Sequence, residues 1–92
     1  MKAAAIFEAQ MTRDQAARLA DLIREAKPRR PAGVIDVRLY LEGDTGRLVS
    51  LWESREALVA YLADAEVPRG TELMRAVGLE PDVRIADVLT AG

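Results

Sequence analysis

The sequence predicts an α+β fold, with a four-stranded antiparallel sheet and helices on one of its faces. Three observations carry this expectation. Thr12 and Ser54 each stand where an extended apolar stretch gives way to a helical one, and both are residues that cap helices. Between them lie two alternating stretches, Val34 to Glu42 and Gly46 to Trp52, joined by turn-forming residues. The length of 92 residues leaves room for one core, so 1–92 is expected to form a single domain.

The elements follow in order. Lys2 to Met11 (KAAAIFEAQM) reads as a first strand rich in alanine. Thr12-Arg13-Asp14-Gln15 fits a capping box, in which the threonine and glutamine side chains satisfy free amides of the first turn. Behind it Ala16, Leu19, Ala20, Ile23 and Ala26 form one stripe, and Pro28 stops the helix. Lys27-Pro28-Arg29-Arg30-Pro31 is basic but lacks the glycine run of a phosphate cradle, so it reads as a solvated connector.

The second strand places Ile35, Val37, Leu39 and Leu41 on one face and Asp36, Arg38, Tyr40 and Glu42 on the other. A four-residue loop, Gly43-Asp44-Thr45-Gly46, would oppose Leu41 to Leu48, Leu39 to Ser50 and Val37 to Trp52. Ser54 starts a second helix that runs to about Ala65, with Ala57, Leu58, Tyr61 and Leu62 on its inner stripe. Thr71 to Val77 reads as a short third helix closed by Gly78. Asp82 to Leu89 reads as the last strand. Two such split units interleave as a ferredoxin-like βαββαβ arrangement.

Composition narrows the functions. The net charge of −2 is not the basic excess of a nucleic-acid binder. There is no cysteine and no histidine, and the chain also lacks asparagine. Thiol nucleophiles, serine–histidine catalysis and histidine metal or haem ligation are therefore excluded. No metal site is expected. Neither a secretory leader nor a membrane-length apolar run is visible, and a cytoplasmic location is the expectation.

The segment Leu51-Trp52-Glu53-Ser54-Arg55-Glu56-Ala57-Leu58 resembles the strand-end tryptophan and acidic, capped helix start of antibiotic-biosynthesis monooxygenase-like domains. The element order of the whole chain and the valine-rich last strand after Glu80-Pro81 extend the resemblance. These domains belong to the dimeric α+β barrel superfamily. The resemblance implies a homodimer with facing sheets and a ligand pocket between sheet and helices in each subunit. Members oxidise quinol-type substrates with dioxygen and no cofactor. Others degrade haem with an asparagine and a histidine that this chain lacks.

The expected site is built on Trp52, which either stacks on a planar ligand or serves as a core aromatic with its indole N–H on a carbonyl. Ser50 lies on the same inward face, with a backbone carbonyl as its expected partner. Leu39 is expected opposite it. Tyr61 would offer its hydroxyl to a substrate oxygen or, as a catalytic candidate, help form the phenolate through a water; otherwise its hydroxyl stands in water at the rim. The alanines of the first strand leave volume for a pocket or for tight packing. Glu8 is a candidate general base if burial raises its pKa, or else points into the dimer seam beside Arg38. Asp36 and Arg38 are expected to pair across strands there. The activity expected is a cofactor-free monooxygenase reaction on a small quinol or phenol. The alternative is a non-catalytic, ligand-binding or regulatory dimer of the same fold.

Overall fold

A computed structural model describes residues 1–90. The elements are β1 (Ala3–Gln10), α1 (Arg13–Ala26), a 3-10 turn (Lys27–Arg29), β2 (Val34–Glu42), β3 (Thr45–Trp52), α2 (Arg55–Asp64), α3 (Arg69–Arg75) and β4 (Asp82–Asp87). The strands form one antiparallel sheet in the order β2-β3-β1-β4, so the alanine-rich first strand is central. This is the ferredoxin-like arrangement read from the sequence.

The first helix starts as expected. Thr12 Oγ1 accepts from the Gln15 amide at 3.1 Å, and Gln15 Oε1 accepts from the Thr12 amide at 2.9 Å. Gln15 reaches further, donating through Nε2 to the Val77 carbonyl at 3.1 Å, which ties the start of α1 to the end of α3. At that end Gly78 takes a φ of +84°, and Leu79 and Gly78 donate back to Met74 and Arg75. This pairing is a Schellman stop. The third helix begins at Arg69, two residues before the expected Thr71, because the Pro68 carbonyl already accepts from Glu72 at 3.0 Å.

The hairpin corrects the expected register. Glu42 pairs with Thr45, so the connection is the two residues Gly43-Asp44 rather than four. Gly43 takes a φ of +61° while Asp44 does not enter that region, the pattern of a glycine-first hairpin turn. Every pair moves by two: Leu41 faces Gly46, Leu39 faces Leu48 and Val37 faces Ser50. A shift of two keeps each side chain on its face. A bulge between Val34 and Asp36 then exchanges roles at the strand's start. Val34, not Ile35, packs on the core opposite Trp52, and Ile35 is 47% exposed. At the other edge β4 ends at Asp87, and Leu89 lies 85% exposed beyond it.

The core lies on the helix side. Ala3, Ala5 and Phe7 of β1, Leu48 and Trp52 of β3, and Leu19, Leu58 and Met74 of the helices are all buried there. Alternation sends Glu8, Arg47, Arg84, Asp36 and Arg38 to the other face.

Candidate functional site

A cavity of about 60 Å³ lies between the sheet and the three helices. One water needs about 10–15 Å³ on this scale, so the space holds several waters or a small molecule. Its floor includes Ala5, Val37, Ser50 and Trp52, and its roof includes Leu58, Tyr61 and Leu73. The small side chain of Ala5 is what leaves the floor low. The roof comes close because Gly70 lets α3 lie against the Phe7 ring: a Cβ at Gly70 would sit 2.7 Å from it.

Trp52 is buried to 3%, yet its ring borders the cavity. Tyr61 packs against it with ring centroids 5.2 Å apart and planes inclined by 36°. The indole Nε1–H donates to Ser50 Oγ at 3.0 Å. Neither side chain takes the backbone carbonyl expected for it, because alternation along β3 stacks the two on one face. The Tyr61 hydroxyl accepts the Arg69 amide at 2.9 Å instead of standing in water. Each hydroxyl thus accepts one bond from the protein, and among the described residues neither donates one. A hydroxyl is donor and acceptor at once. Each hydroxyl therefore keeps an O–H that no described residue is seen to accept, at the edge of a space lined almost wholly by carbon.

Two expected members lie elsewhere. Leu39 does not line the cavity, because the two-residue shift of the hairpin puts Val37 opposite Ser50 in its place. Glu8 is on the opposite face of the sheet. There it accepts from Arg47 Nε at 2.7 Å and from Arg84 Nη2 at 3.2 Å. The Arg47 hydrogen bond, followed by that of Arg84, lowers its pKa, the reverse of the shift a buried base would need. Its partner is not Arg38. That residue bonds Asp36 at 2.8 Å within β2 itself, not across strands.

Sequence reasoning missed Arg30 and Arg69, which also line the cavity. Each stands beside a proline, Pro31 and Pro68, that pins the chain at an element boundary. That was the available signal. No carboxylate lines the cavity, and among the described residues no three metal-ligating side chains gather.

No family model matches the chain, and no curated protein matches it. Solved structures do. A protein of Bordetella bronchiseptica, provisionally named an antibiotic biosynthesis monooxygenase, superposes with a TM-score of 0.69 at 17% identity, over 97% of this chain and 98% of that one. The chain has the fold of the antibiotic-biosynthesis monooxygenase-like proteins. A monooxygenase of Streptomyces coelicolor from the gene ActVA-Orf6, solved with the ligand nanaomycin D, matches with a TM-score of 0.69 at 16% identity, over 98% of this chain and 88% of that one. SnoaB of Streptomyces nogalater, a cofactor-independent oxygenase, matches with a TM-score of 0.68 at 14% identity, over 98% and 95%.

Proposed function

We propose that this antibiotic-biosynthesis monooxygenase-like fold binds a small phenol-type ligand in the cavity beside Trp52 and oxidises it with dioxygen, without a cofactor. The observation that carries the reading is the pair of undonated hydroxyls, Ser50 and Tyr61, beside an aromatic pair in an apolar space. Hydrogen bonds from both to a ligand oxygen favour its phenolate form. The apolar surroundings make them stronger than they would be in bulk water. The phenolate gives an electron to dioxygen. One oxygen atom then joins the ring and the other leaves as water, so phenol and dioxygen become quinone and water. The phenolic proton leaves through water, since no carboxylate lines the cavity.

That last point also favours the second reading, a ligand-binding dimer without turnover. Oxygen uptake with a panel of single-ring and naphthol-type phenols separates the two. Consumption above the free-solution rate, lost in Ser50→Ala and Tyr61→Phe, supports the enzyme. Binding without consumption supports the second reading.

In either case the assembly proposed is a homodimer through the open face of the sheet. Tyr40 stands 51% exposed on that face, beside the half-buried Val49 and Leu51. Such a patch invites a partner, and twofold pairing is the commonest closed solution. Sedimentation equilibrium is expected to give twice the chain mass, and Leu51→Asp to give one chain mass.

A further inference from the structure

The cavity beside Trp52 is walled almost wholly by carbon. Phe7 and Leu48 join Ala5 on the sheet side, and Ile23, Leu62 and Leu73 close it from the three helices. Two arginines reach its rim, and neither brings a charge into it. Arg30 also lines a cleft with Asp36, whose carboxylate feels its charge. Arg69 also lines a cleft with Glu25 and Glu72, both exposed to water. Long cationic side chains commonly border apolar space with their stems and keep their heads in water. No carboxylate lines the cavity, and among the described residues no buried side-chain nitrogen or oxygen lacks a partner. Polar contact is confined to the surroundings of Trp52. There Ser50 Oγ accepts the indole N–H, and the Tyr61 ring packs against the Trp52 ring. At about 60 Å³ the cavity has no room for a shell of water around a second polar group.

We propose that the occupant is a neutral alkylphenol: a single ring whose hydroxyl meets the hydroxyls beside Trp52 and whose other substituent is hydrocarbon. Each methylene of that substituent leaves water for carbon walls, which is favourable. A second hydroxyl in its place would give up its hydrogen bonds to water and find no partner. A carboxylate there would lose more, because an ion costs more to strip of water than a hydroxyl. The inference rests on the cavity being the ligand site and adds the rule by which that site selects.

The test compares 4-ethylphenol with 4-hydroxybenzyl alcohol, which share the ring and the phenol and differ only in a terminal methyl against a hydroxyl. 4-Hydroxybenzoate is the charged third member. Binding is followed by calorimetry and by quenching of Trp52. 4-Ethylphenol is expected to bind the unmodified protein at least about ten-fold more tightly than the alcohol, the scale of burying a hydroxyl without a partner. The acid should be the weakest of the three. Leu73→Phe, which narrows the cavity, should erase the preference, and Arg84→Gln on the open face should keep it. Equal binding of 4-ethylphenol and the alcohol to the unmodified protein overturns the alkylphenol assignment and leaves the cavity reading standing. Binding of the acid as tight as that of 4-ethylphenol does the same. A preference that survives Leu73→Phe shows that the selection arises outside the cavity and overturns the assignment as well. Binding of none of the three overturns both.

Discussion

The two faces of this sheet are made by the same four strands, and they do opposite things with their polar groups. On the helix side the buried polar groups are few and neutral, and the cations Arg30 and Arg69 only border the cavity. Trp52 donates to Ser50, Tyr61 accepts a backbone amide, and small residues such as Ala5 leave a void. On the open side the polar groups are charged and paired. Glu8 is held by Arg47 and Arg84, and Asp36 by Arg38. The difference shows where chemistry can happen. A paired carboxylate is stabilised as an anion and gives up its value as a base. An unpaired hydroxyl in a dry pocket keeps its proton to offer.

Adjacent residues of β3 test the contrast most strongly. Leu48 is buried on the helix side, and Val49, its neighbour, points to the open face. Leu48→Ala should cost about 2–5 kcal/mol in chemical denaturation. Val49→Ala should cost less in folding and act mainly on the mass measured by sedimentation. Equal folding losses would mean that the open face is as tightly packed as the core. Gly70→Ala comes next. Its Cβ would press on the rigid Phe7 ring, and the expected loss is about 1–3 kcal/mol. The loss should come with a smaller cavity and weaker ligand binding.

Ser50→Ala has a similar or smaller effect, about 1–3 kcal/mol, by leaving the buried indole N–H without a partner. A shift of tryptophan emission should accompany it. The smallest effect belongs to Glu8→Gln and depends on pH. Arginine partners hold the Glu8 pKa below its ordinary value of 4.5. Its contribution is therefore present above that value and disappears as pH falls through the lowered folded pKa. Thermal melts of variant and parent should differ at pH 7 and converge in strong acid. A gap that widens on acidification would reverse the sign assigned to this cluster.

Much of this architecture was legible because period-two alternation and helix caps are local signals. Thr12 with Gln15, Ser54 and Gly78 each act within a few residues of where they stand, and each does what its type suggests. The hairpin register was harder to read. Gly43-Asp44 and Gly43–Gly46 are both acceptable turns on composition, and the choice shows only in the pairing of Glu42 with Thr45. The bulge at Ile35 is likewise invisible to alternation, since it is an interruption of it. Site residues on the strands were found because their face could be counted from Trp52. Leu39 was misplaced by the same two-residue shift, and Glu8 fell on the far face because it is out of phase with Ala3 and Ala5. Arg30 and Arg69 come to the cavity from two distant elements, the loop after the 3-10 turn and the first turn of α3, and no short-range pattern reports that.

The central claim is that the ligand enters the helix side of the sheet, next to the chain's single tryptophan. Titrating the protein with 4-hydroxybenzyl alcohol while following Trp52 emission tests it directly. The account predicts saturable quenching that is lost in Leu73→Phe, which fills the cavity, and kept in Arg84→Gln, which alters only the open face. Quenching that survives Leu73→Phe and disappears with Arg84→Gln would put the ligand on the wrong face of the sheet and contradict the account.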